Sequence, residues 1–112
     1  MLYVGCHLSA SAGNYAMVET ARSIGANTFA FFTRNPRGSR AKQEDPVDAA
    51  KAVAALKENG FGKLVAHGAY TMNLSTADAG HRAFAADILC DDLRIVINCV
   101  LECQSYILRL SC

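Results

Sequence analysis

The sequence has almost no net charge: 11 Lys and Arg stand against 10 Asp and Glu, a formal +1. That balance excludes a global field drawing the chain onto nucleic acid or anionic lipid, so any polyanion site has to be local. A long apolar run is also missing. Ile95 to Leu110 is the most apolar stretch, and Asn98, Glu102 and Gln104 interrupt it, whereas a membrane span needs about 20 mostly apolar residues. The segment Met1-Leu2-Tyr3-Val4-Gly5-Cys6 has neither a basic n-region nor the apolar length of a signal peptide, so a cytoplasmic chain without a membrane partner is expected. No Gly-rich phosphate loop follows that segment, and Ser9 and Ser11 are not set in a nucleophile elbow, which argues against the nucleotide-binding alternatives.

Cysteine is scarce through most of the chain: Cys6 stands alone until Cys90, Cys99, Cys103 and Cys112 crowd the end. Without a secretion signal these read as free thiols rather than bridges. The CxxxC spacing of Cys99 and Cys103 lacks a second cluster or a nearby His, so small buried apolar side chains are expected there, not a zinc knuckle.

What is present is a globular composition, 52% hydrophobic and 19% charged over 112 residues, enough for one domain and too apolar for disorder. Leu2 to Cys6 reads as a strand running into the small polar segment His7 to Gly13. From Asn14 the spacing turns helical, with Met17, Ala21 and Ile24 on one face and Gly25 as a stop. Asn27 to Phe32 is apolar on both faces, as a strand inside a parallel sheet is. Asp45 and Pro46 supply an N-cap and a first helical residue for a second helix with Ala49, Val53 and Leu56 as its stripe, ended by Asn59-Gly60. Lys63 to Ala66 is a third strand, His67 to Ser75 its loop, and a third helix starts near Thr76. This β-α-β-α-β-α alternation implies a parallel sheet with right-handed crossovers, either doubly wound or part of a (β/α) barrel.

In both architectures functional groups gather in the loops after the strands' carboxyl ends. His7 and His67 each follow a strand, so both imidazoles point into one mouth, and imidazole suits zinc and related metals. The loop after the second strand holds Arg34, Arg37, Arg40 and Lys42, the local positive site that the net charge conceals. Guanidinium groups fork onto phosphate oxygens, so a nucleic-acid backbone contact is one reading and a solvated loop the other. Tyr70 shares a loop with His67 and is placed either to stack on a base or to pack on the rim. His81, beside Arg82, is expected at the surface.

Three segments carry a resemblance: Tyr3-Val4-Gly5-Cys6-His7-Leu8-Ser9, Gly25 through Arg37 (GANTFAFFTRNPR), and His67-Gly68-Ala69-Tyr70-Thr71-Met72-Asn73-Leu74. Together, and in this order, they resemble endonuclease IV. The resemblance implies DNA repair by an apurinic/apyrimidinic endonuclease: a (β/α)8 TIM-type barrel that cuts the backbone of double-stranded DNA 5′ to an abasic site with three zinc ions held by His, Asp and Glu. Carried over position by position, it implies His67 as a zinc ligand and Arg37 and Tyr70 on loops that enter the DNA at the lesion. His7, Arg34 and Asn35 fall in the matching motifs as supporting residues, with His7 not carried over as a ligand.

The match runs from Leu2 to about Leu93, and the His-Pro-Gly strand that the family has next is absent from Ile95 to Tyr106. The expectation is therefore an N-terminal part of the barrel, about three βα units over residues 1–94, plus an atypical tail over 95–112 produced by a frameshift, or else a shortened paralogue. A barrel of this kind has about 250 residues, so at most a partial zinc site, an inactive fragment, and self-association through exposed barrel edges are expected. Two alternatives remain: a metal-dependent sugar isomerase or epimerase on the same architecture, and a non-catalytic nucleic-acid-binding fragment.

Overall fold

Gly5 decides where the first strand pairs. A Cβ at this position would lie 1.8 Å from the Thr28 carbonyl oxygen, and Gly5 is the residue in register with Thr28; only a glycine permits that approach. In the computed structural model, which describes residues 1–38, 40, 43–99 and 105–107, the chain runs β1 (Gly5–Leu8), α1 (Asn14–Ser23), β2 (Thr28–Phe32), α2 (Pro46–Glu58), β3 (Val65–His67), α3 (Ala79–Cys99) and β4 (Ser105–Ile107).

The four strands form one parallel sheet in the order β1-β2-β3-β4. Alternation then assigns the faces. His7 is in register with Ala30, and Phe32 with His67, so these side chains share one face, while Phe29, Phe31 and Ala66 occupy the other. The second face packs into a single core with Met17, Val18 and Ala21 of α1, Ala49, Ala52, Ala55 and Leu56 of α2, and Val96 of α3. All three helices thus lie on one side of the sheet. A doubly wound sheet puts helices on both faces and reverses its strand order; sequential strands with helices on one side are an arc of a (β/α) barrel.

The helix ends follow local chemistry. Asp45 accepts from the backbone N–H groups of Val47 and Asp48 ahead of Pro46, the N-cap read from the sequence. No side chain caps α1 from its own N-cap residue, Gly13; the Asp48 carboxylate reaches over from α2 and accepts from the N–H groups of Asn14 at 2.6 Å and Tyr15 at 3.2 Å. One carboxylate therefore serves two helix N-termini, where it also complements both dipoles.

Several boundaries differ from the sequence reading. Ile24 is not part of the α1 stripe: it is the C-cap, 58% exposed, because Gly25 at φ +74° turns the chain away just beyond it. In α2 the buried face is Ala49, Ala52, Ala55 and Leu56, with Val53 only half-buried, since alanines allow the close approach of α1. β1 extends through His7 to Leu8, and β3 is shifted to end on His67. α3 begins at Ala79 rather than near Thr76, because Asp78 accepts from the His81 N–H and acts as the cap. It continues through Cys99, with Val96 in the main core, so residues 95–99 are helix and β4 pairs with β3 beyond them. Cys6 and Cys90 are free thiols, and both are exposed. Lys42, Cys103 and Cys112, and with them the Cys99–Cys103 spacing, lie outside the described residues. No described helix is long and apolar enough to cross a membrane.

Candidate functional site at the strand ends

The face of the sheet that the helices leave uncovered ends in a group of rings. Phe32, the last residue of β2, lies 4.7 Å from the ring centre of His7, 4.7 Å from that of His67 and 5.2 Å from that of Tyr70. His7 and His67 are 6.3 Å apart, and His67 and Tyr70 5.8 Å. The two histidines expected in one mouth are thus brought together, with Phe32 as the hub. Sequence reading took Phe32 only as strand; its position in register with His67 is what gives it this place.

His67 is half-buried, and its Nδ1 is 2.6 Å from the Gly68 carbonyl oxygen. A carbonyl can only accept, so Nδ1 carries the proton and Nε2 is the nitrogen left to a metal, the arrangement found when a histidine serves as a ligand. His7 is held below the ordinary imidazole value of 6.5, first by desolvation against its ring neighbours and then by the nearby His67, with a hydrogen bond to the Leu8 backbone opposing. It keeps an exposed edge despite that desolvation. Among the described residues no three His, Cys, Asp or Glu side chains converge as a metal site; His67 fits a single imidazole ligand, and a complete ligand set would need groups beyond it.

The loop after β2 is a built turn. Gly38 N–H donates to the Asn35 carbonyl at 3.1 Å with Pro36 and Arg37 between them, and Asn35 Oδ1 accepts from the Arg37 N–H at 3.0 Å. Asn35 shapes the turn, and Arg37 stands exposed at its tip. The next loop is fastened to it: Tyr70 N–H donates to the Pro36 carbonyl at 2.8 Å, and Thr71 Oγ1 donates to that of Gly38 at 3.3 Å. Tyr70 remains 51% exposed beside His67. The turn that carries Arg37 is thereby bonded to the loop of Tyr70, whose ring lies beside His67.

Arg34 does not join them. It is 5% exposed and its Nε donates to Asp92 Oδ1 at 2.6 Å, with both side chains buried. The basic loop splits accordingly: Arg34 is internal, Arg37 and Arg40 are exposed, and Lys42 lies outside the described residues. Asp92 was missed, although a carboxylate four residues from both Ile88 and Val96 on the buried stripe of a helix is a legible signal. An open cleft of about 910 Å³ runs between the loops after β1 and β2, sharing His7 and Phe32 with the ring cluster and reaching Arg40. His81 is exposed, as expected.

No family model matches the chain. It is similar to probable endonuclease 4 of Akkermansia muciniphila, 52% identical over 96 residues that make up 86% of this chain and 35% of that protein. Probable endonuclease 4 of Clostridium botulinum is 53% identical over 94 residues, 84% of this chain and 34% of the relative. The crystal structure of endonuclease IV from Thermus thermophilus superposes with a TM-score of 0.78 at 27% identity, covering 85% of this chain and 36% of that one. A further solved structure, AsfvAP:AG, has a TM-score of 0.73 at 16% identity and shares the fold. The chain spans about a third of the length of the curated relatives it matches.

Proposed function

We propose that this chain, which corresponds to the N-terminal portion of endonuclease IV, is the lesion-contacting part of a DNA-repair nuclease that hydrolyses the phosphodiester 5′ to an abasic site. The observation that carries this reading is the joint placement of Arg37, Tyr70 and His67: an exposed guanidinium and an exposed ring on two loops bonded to each other, with that ring beside an imidazole whose Nδ1 is engaged by the Gly68 carbonyl. Arg37 supplies a phosphate contact. Tyr70 supplies an aromatic face where a base is missing. His67 would hold zinc through Nε2, with the rings of His7 and Phe32 packed beside it. Zinc ions, when bound, neutralise phosphate charge and stabilise the leaving oxygen. Hydrolysis on this reading needs further ligands outside the described residues, so the chain by itself binds the lesion without turnover. On this reading residues 1–94 carry the family's sequence and 95–112 diverge from it, although α3 runs on to Cys99 and β4 joins the sheet; the division is tested by translating the coding DNA beyond Leu89 in all three frames. The same reading places the protein in the cytoplasm, with open sheet edges through which copies self-associate.

The test is binding of the full chain to a duplex with one abasic site against the intact duplex, across a salt series, with zinc and with chelator. Tighter binding to the abasic duplex, weakened about tenfold by Arg37→Ala or Tyr70→Ala, is expected, since such contacts contribute about 1–3 kcal/mol. Equal affinity for both duplexes, or turnover of a free sugar, would overturn it. Because the hydrogen bonds that join the Arg37 and Tyr70 loops involve no metal, a second reading is metal-independent nucleic-acid binding; abasic preference that survives both chelator and His67→Ala would favour it.

A further inference from the structure

Asp92 occupies a place that burial alone would give to an apolar residue. On α3 it lies between Ile88, which packs with Met72 and Ala85 beneath the third loop, and Val96 in the main core, and it is fully buried. Its partner Arg34 is the residue immediately before the Asn35–Gly38 turn. Burying such a pair costs desolvation that the mutual attraction scarcely exceeds, and apolar residues of similar volume often stabilise a fold as well or better. A buried ion pair does have one property that apolar contact lacks: a fixed donor-to-acceptor direction.

We infer that Arg34 and Asp92 are positioning residues that orient the Arg37 and Tyr70 loops against α3, an inference that rests on the nucleic-acid reading above. The chain of contacts is continuous. Asp92 holds Arg34, Arg34 leads into the turn that presents Arg37, and that turn takes the Tyr70 N–H on Pro36 and the Thr71 hydroxyl on Gly38. One charge-assisted bond between residues 58 positions apart thereby sets two exposed contact residues at once. Arg34 acts on DNA only through Arg37 and Tyr70.

The experiment replaces the pair by an apolar one, R34M/D92L, in the full chain, alone and with Arg37→Ala. Melting and the ratio of affinities for abasic and intact duplex are both measured. The expected result is a melting midpoint at or above that of the parent, with the ratio reduced about threefold to tenfold, and a smaller further reduction when Arg37 is already Ala, because only the route through Tyr70 then remains and coupled residues are not additive. A variant that melts like the parent and keeps its ratio overturns the inference, as does an equal loss with and without Arg37. If R34M/D92L does not fold, R34K decides by the same two-background comparison, since it keeps the charge and loses the directed Nε–H. Failure of Arg37→Ala itself to change the ratio sinks the nucleic-acid reading, a result distinct from an independent effect of Arg34.

Discussion

The two faces of the sheet differ in what covers them. One carries Phe29, Phe31 and Ala66, each at most 4% exposed beneath three helices; the other carries His7, Ala30, Phe32, Val65 and His67, none of them fully buried. The covered face is a close-packed interior with no polar requirement. The open face mixes apolar hub and imidazole and ends at the loops that hold Arg37 and Tyr70. Because side chains alternate along a strand, adjacent residues such as Phe31 and Phe32 serve the two faces. Burial is concentrated on one face, and the imidazoles lie on the other.

The sharpest way to break that contrast is Phe29→Ala against Phe32→Ala. Truncation on the covered face is expected to cost about 3–5 kcal/mol, read as a fall in the urea midpoint at constant slope. The same truncation at half-buried Phe32 is expected to cost about 1–2 kcal/mol, because less apolar area is removed from water; equal losses would mean that the open face is as much a core as the other. A smaller effect tests the helix layer: Asp48→Ala removes the only side-chain cap seen on α1 among the described residues and is expected to cost about 1 kcal/mol. Amide exchange should then accelerate at Asn14 and Tyr15, while α2, still capped by Asp45, keeps its protection. Smallest in stability is Tyr70→Ala, which gives up ring contacts to Phe32 and His67 worth about 0.5–1.5 kcal/mol. If its melting point falls as far as that of Phe29→Ala, Tyr70 is a packing residue and not a contact for DNA.

Much of this was legible from local chemistry. Asp45-Pro46 marks the start of α2 and Gly25 the end of α1 because caps and left-handed glycines depend on a few neighbouring residues. The segments containing His7, Arg37, His67 and Tyr70 were readable as one mouth because parallel strands place their carboxyl ends together. Less legible were the partners from distant segments. Nothing within the loop of Arg34 announces Asp92 as its partner, and nothing within α1 announces the Asp48 carboxylate that caps it from α2.

The sequence by itself determined the alternation of strands and helices, their principal caps, and the family resemblance of three strand-end segments, since each depends on contiguous residues. The tertiary structure decided what contiguity leaves open: helices on one side of the sheet and hence a barrel arc, Phe32 as the hub between two histidines, and Arg34 turned inward. These depend on register and burial, where a shift of one residue moves a side chain to the opposite face.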